Sequence, residues 1–200
     1  RGAGRETVIE LEEGNYRLSW EEALTIGNHI NLCGESESQT TIQIRYPRIG
    51  STDFYDLFGH AGFDVQPGGT LNLTNLTMDG MSRLRGFDAF AIENNGGAVE
   101  ITNSTIRNFQ KPDSFIASVD DDAGKFPNNH VRDITYSPSE GGAIHNNSGV
   151  IEISGSSLIG NKAALGGAIF ATSGSVIIDD TTEFENNEVY TKVVSSSGEV

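Results

Sequence analysis

Apolar and polar residues alternate in short runs along this 200-residue chain, as in Leu71-Asn72-Leu73, Val99-Glu100-Ile101 and Ile151-Glu152-Ile153. Period-two alternation sends neighbouring side chains to opposite faces of a strand, so each run predicts a short strand with one buried face. Val8-Ile9-Glu10-Leu11, Ile30-Asn31-Leu32, Ile42-Gln43-Ile44 and Val176 to Ile178 extend the series. Gly, Asn, Ser and Thr fill the gaps, as turns require. Near the start, Thr7 to Leu18 reads as strand, turn, strand. Ser19-Trp20-Glu21-Glu22 then fits a capping box, which predicts one helical turn over the exposed end.

The runs recur at fixed distances. A shift of 25 lays Gly149, Ile151, Ile153 and Asn161 on Gly174, Val176, Ile178 and Asn186. A shift of 28 lays Gly69, Leu71, Leu73 and Met78 on Gly97, Val99, Ile101 and Ile106, and a shift of 52, close to two turns, carries three of these on to Gly149, Ile151 and Ile153. Gly-Gly-Ala followed by Ile or Val opens at Gly96, Gly141 and Gly166. Such periods mark a repeat architecture in which each unit buries its apolar face against its neighbours. The strand pattern excludes helical repeats, and the leucine ladder of a leucine-rich repeat is absent. The expected fold is all-β: a right-handed parallel β-helix with about 25 residues per coil, each strand pairing with its equivalent about 4.8 Å away. Like should stack on like, with Ile151 beside Val176, Ile153 beside Ile178, and Asn161 over Asn186. The glycine pairs suit tight corners with positive φ, and the Ala after them is small enough to tuck beneath the next coil.

Two segments break the period. Arg45 to Phe63 is aromatic-rich, with Tyr46, Phe54, Tyr55 and Phe58; Gln110 to Glu140 holds Asp120, Asp121, Asp122, Lys125, Arg132 and Tyr136, and should contain much of one coil. Both are expected to be lateral loops on a single domain spanning residues 1–200, with an N-terminal cap and first coil in 1–29. Loops on a rigid scaffold are where binding residues gather, so Tyr46, Phe54, Tyr55, Phe58, Lys125, Arg132 and Tyr136 are the candidate ligand contacts.

Composition narrows the partners. The 36% apolar content is enough for one continuous core, and no stretch approaches the roughly 20 apolar residues of a membrane helix. A net charge of −15 speaks against nucleic acid and anionic membranes. One cysteine, Cys33, cannot close an intrachain disulfide, and its apolar neighbours predict a buried, inert thiol. Sequons at Asn72, Asn75, Asn103 and Asn146 are expected by chance in so Asn- and Thr-rich a chain. Without a Met start or a visible signal, the chain reads as a monomeric segment of a longer exported protein.

The opening, Thr7-Val8-Ile9-Glu10-Leu11 with Gly14-Asn15-Tyr16-Arg17-Leu18 and then Ile30-Asn31-Leu32-Cys33-Gly34, resembles the first coils of pectin-lyase-like β-helix proteins. The later Gly166-Gly167-Ala168-Ile169 with Phe184-Glu185-Asn186-Asn187 is similar to the repeats of bacterial polymorphic outer-membrane proteins and related adhesins. The resemblance implies an extracellular or cell-surface domain that binds a host or environmental glycan or surface protein. The same scaffold also hosts polysaccharide lyases and glycoside hydrolases, so fold alone does not choose.

A lyase of this kind needs carboxylates holding Ca²⁺ with an Arg or Lys base, and a hydrolase needs paired carboxylates. Asp120, Asp121 and Asp122 are the candidate Ca²⁺ ligands, although consecutive loop residues share no fixed face. Asp179-Asp180 reads as a structural turn. His29, His60, His130 and His145 lie too far apart for a metal site or triad by spacing. An ice-binding face would need regular threonine ladders, and the threonines here do not recur in register. No catalytic residue and no resident cofactor are therefore expected. An adhesin leads, with the enzyme and a passive spacer behind it.

Overall fold

The computed structural model describes residues 6–19, 23–45, 62–81, 90–110, 114–119, 131–137 and 141–189. These form strands and no helix, so among them no helix is long and apolar enough to cross a membrane. In chain order they are β1 (Glu6–Leu11), β2 (Gly14–Ser19), β3 (Leu24–Ile26), β4 (His29–Gly34), β5 (Thr40–Arg45) and β6 (Phe63–Val65). Next come β7 (Thr70–Thr74), β8 (Thr77–Asp79), β9 (Ile92–Thr102), β10 (Thr105–Arg107), β11 (Ser114–Val119), β12 (Val131–Ser137) and β13 (Ile144–Ser154). The last are β14 (Ser157–Ile159), β15 (Lys162–Ala163), β16 (Ile169–Ala171), β17 (Ser175–Ile178), β18 (Glu183–Glu185) and β19 (Glu188–Val189).

All but one of the pairings are parallel, within a nine-stranded sheet, a six-stranded sheet and the small pair β15 and β19. Hydrogen bonding resolves the two large sheets into three ladders. The first contains β1, β4, β7, the C-terminal halves of β9 and β13, and β17. The second contains β2, β5, β8, β10, β14 and β18. The third contains β3, β6, the N-terminal halves of β9 and β13, and β16. The chain visits them in a constant cycle, adding one rung to each ladder per pass.

The predicted register holds where the apolar alternation is strongest. Leu71 and Leu73 pair with Val99 and Ile101, these with Ile151 and Ile153, and these with Val176 and Ile178. Leu71, Leu73, Ile101 and Ile151 are fully buried, and Ile42, Met78, Ile106 and Leu158 line the second ladder's inner face. Full burial of one such side chain stabilises by about 1.5–3 kcal/mol, and every rung adds several.

Several expectations are corrected. The shift of 52 is one rung, because β9 pairs directly with β13. The excess length belongs to the passage that carries β11 and β12, an antiparallel hairpin and not a coil. Phe63 is not loop but a core residue of β6, only 2% exposed, and Gln110 bridges Lys162 on the scaffold. The asparagine stack joins Asn161 to Asn187, not Asn186: Asn187 Oδ1 accepts from the Asn161 amide and side chain, both at 3.0 Å. The turn from β17 to β18 is one residue longer than the turn it repeats, so Leu158 meets Phe184 at a spacing of 26, and Asn186 takes the left-handed position with φ 52°. Cys33 alternates outward from buried Leu32 and is half-buried. Thr41, Thr77, Thr105 and Ser157 do align in register, but Thr77 and Thr105 donate to the backbone and side chain of Glu37, so the column is partly covered. Ser19 ends β2, and the rest of the capping-box reading lies outside the described residues.

The Gly-Gly-Ala copies occupy two different corners. Gly141-Gly142 and Gly166-Gly167 precede strands of the third ladder, and Ala143 and Ala168 there join Gly62 and Ala91 in a column too tight for larger side chains. Gly96-Gly97 instead lies within β9, between the third and first ladders, where Gly149 and Gly174 also take positive φ.

Asp179 forms the turn it was expected to form. Hydrogen bonds from Thr181 and Thr182, with amide donors from Gly155 and Thr181, hold its carboxyl below the ordinary 3.8. A depressed folded-state pKa contributes stability above the unfolded value, lost as pH falls through the folded one. The stability gap between the parent and Asp179→Asn, measured by urea unfolding, should therefore be present at pH 7 and shrink as pH drops below about 4. A constant gap across that range would remove Asp179 as the titrating group.

Candidate functional site

The cycle is interrupted in one place only. Passages from the first ladder to the second, and from the third to the first, contain at most five residues. The three long passages, residues 46–62, 80–91 and 108–143, all run from the second ladder to the third. All three therefore begin where the chain leaves the second ladder and end where it enters the third.

The outward face of the third ladder is built from a polar column. Thr25, Asp64, Glu93, His145 and Phe170 stand in register on successive rungs, alternating with inward Ile26, Val65, Ile92 and Ile144. Just beyond four of the five positions lies a second polar residue, Gln66, Asn95, Asn147 and Thr172, and hydrogen bonds link this row to the column. The Thr172 hydroxyl lies 3.3 Å from the Asn147 carbonyl and 3.4 Å from its Oδ1, Asn147 donates to Asn95 Oδ1 at 2.8 Å, and Asn95 to Asp64 Oδ1 at 2.9 Å. Gln66 also donates to Asp64 Oδ1 at 2.7 Å, and the second Asn147 proton goes to Glu93 Oε1 at 3.1 Å. The donors run in one direction and end on carboxylates, which polarises the chain and fixes each amide.

Beneath it, Asn94 donates to Asn146 Oδ1 at 2.9 Å while its own Oδ1 accepts from the Gly97 amide. Both asparagines are fully buried, and they hold the bends where β9 and β13 leave the third ladder for the first. Towards the C-terminal rungs the His145 ring lies between Phe90 and Phe170, centroids 5.2 and 5.6 Å away, and is 8% exposed. On the second-ladder side of the corner, Asp79 accepts from Arg107 at 2.9 Å and from Asn108 at 3.1 Å, and it caps the Met81 amide.

Of the candidates read from the sequence, Tyr46, Phe54, Tyr55, Phe58, Lys125 and the Ca²⁺ candidates Asp120, Asp121 and Asp122 lie outside the described residues. Arg132 and Tyr136 belong to β12, with Tyr136 opposite Phe115, and only their backbone is described. His29 sits on the first ladder beside Thr70, remote in register from His145. Among the described residues no group of three or more His, Cys, Asp or Glu side chains converges as a metal site. Sequence reasoning missed Asp64, Glu93, Asn95 and Asn147. The signal was present: Ile92-Glu93-Asn94-Asn95 recurs 52 residues on as Ile144-His145-Asn146-Asn147.

Comparison with protein-family models finds no family that matches this chain, and comparison with curated proteins finds no match either.

Proposed function

We propose that this chain is a right-handed parallel β-helix domain of a bacterial cell-surface adhesin. It works outside the cell and holds a host or environmental glycan or surface protein without chemical turnover. The cyclic order of the three ladders supports the solenoid reading, since a chain that adds one rung to each of three faces per pass winds into stacked coils. The observation that carries the binding reading is the gathering of every long passage at one corner, next to a face of preordered amides and carboxylates. A spacer has no need of such a corner.

The runner-up is a polysaccharide lyase or glycoside hydrolase of the pectin-lyase-like fold, favoured by Asp64 and Glu93 on adjacent rungs. Amide donors address both carboxylates, an arrangement suited to a binding face, whereas a hydrolase needs one carboxyl group to donate a proton. Incubation with acidic and neutral polysaccharides, with and without Ca²⁺, separates the two. The expected result is retained binding with no new reducing or unsaturated chain ends, and loss of binding when residues 111–140 are replaced by a short Gly-Ser linker in a protein that still melts cooperatively. New chain ends would establish the enzyme. Undiminished binding without the passage would move the site off this corner.

A further inference from the structure

We infer that the apolar cleft at the open C-terminal end of the ladders is a docking surface for this chain itself, and that residues 193–200 fill it as a further rung. The inference is independent of the adhesin reading.

The inward columns keep their apolar character to the last described rung and lose their cover there. In the first ladder Ile101 and Ile153 are buried, and Ile178, next in the column, is 41% exposed. In the second, Leu158 is buried and Phe184 is 49% exposed. With Ile169, Val176 and Val189 these two side chains line an open cleft of about 540 Å³. Among the described residues no strand pairs with the outer edges of β16, β17 and β18. An occupant must therefore bring apolar side chains and strand hydrogen bonds together.

The sequence past β19 supplies both. Ser148-Gly149-Val150-Ile151 recurs as Ser173-Gly174-Ser175-Val176 and again as Ser197-Gly198-Glu199-Val200, and a β-branched residue stands five positions before each glycine: Ile144, Ile169 and Val193. The glycine has a physical reason. Gly149 and Gly174 both take positive φ, and a Cβ on either would run into the backbone of the corner before it, Gly97 for the first and Gly149 for the second. A rung stacked on Gly174 meets the same obstacle, and Gly198 answers it. A shift of 24 then lays Val193 over inward Ile169 and Val200 over inward Val176, with Val194 and Glu199 on the outward side over Phe170 and Ser175. Tyr190 to Lys192 lead from β19 into this rung, a reach of up to roughly 13 Å, against a rise of about 4.8 Å. The cleft is thereby assigned to the chain and not to a ligand.

The experiment is disulfide trapping in the full chain, with the single native thiol removed by Cys33→Ser. Neighbouring parallel rungs bring paired Cα atoms within disulfide range. Ser175→Cys with Glu199→Cys should close an intramolecular bridge under mild oxidation. It should do so at least about tenfold faster than Ser175→Cys with Val200→Cys, where one thiol faces out and the other in. Equal rates from the two pairs describe a free tail and overturn the inference. Bridges that form only between two molecules also overturn it, and give the cleft to a second copy of the chain. A measurement without cysteines stands beside this one. Val193→Asp should lower the melting temperature by at least about 4 °C, and Val194→Asp, on the outward side, by no more than about 1 °C. Equal shifts for the two variants sink the further rung.

Discussion

An Ile153→Asp variant is expected to lose about 4 kcal/mol of stability, a large share of the roughly 5–15 kcal/mol that holds a domain folded. Ile153 is 2% exposed on the inner face of the first ladder, with Ile101 on the rung before it and Ile178 on the rung after. Aspartate there finds apolar neighbours on both rungs, and the described residues offer no cation on the inner face of this ladder. The neighbouring outward position supplies the control. Ile177 is 54% exposed, and Ile177→Asp should stay within about 0.5 kcal/mol of the parent. Urea unfolding of the three proteins tests the pair. If Ile153→Asp melts with the parent, the inward assignment is wrong.

Gly142→Ala should be nearly as damaging, at about 3 kcal/mol, for a different reason. A methyl group on Gly142 would run into the carbonyl of Gly167 one rung on, and would sit 2.8 Å from the Lys162 amide. Both obstacles are backbone, so relief means moving one rung against the next and disturbing hydrogen bonds such as Ala143 to Ala168. Gly27 marks the contrast, because a methyl group there meets nothing within 4 Å. Gly27→Ala should be neutral or stabilising by up to about 1 kcal/mol, through the unfolded chain. Thermal melts of the two variants that moved together would show that rung spacing does not set the requirement for glycine.

The strands were legible because each rung states its inner face in period two and then restates it one rung later. Leu71 to Ile178 needed only a shift and a comparison. Corners were less legible, since the left-handed positions are filled by Asn in some rungs and Gly in others, which hides their equivalence. Asn75, Asn103 and Gly155 hold one such corner, and Asn108, Gly160 and Asn186 another. One added residue between β17 and β18 was enough to move the asparagine stack from Asn186 to Asn187. The candidate site was the least legible part. Its residues are individually ordinary surface Asp, Glu and Asn, and what makes them a site is register between rungs separated by passages of very different length. The aromatic, acidic and basic residues that stand out in the sequence lie inside those passages, and of them only Arg132 and Tyr136 fall in a described strand.

Restricting every long passage to one corner separates two kinds of change that most folds confound. Loop-closure entropy grows only slowly with length, and residues added at this corner take no part in stacking, so insertions there are cheap for the scaffold. Elsewhere in the cycle the passages stay at five residues or fewer. The molecule thus has a mount and a cargo that can be changed separately. Whole passages can be exchanged while the ladders stay as they are, and a designer who wished to display a foreign peptide on this scaffold would replace residues 111–140 first.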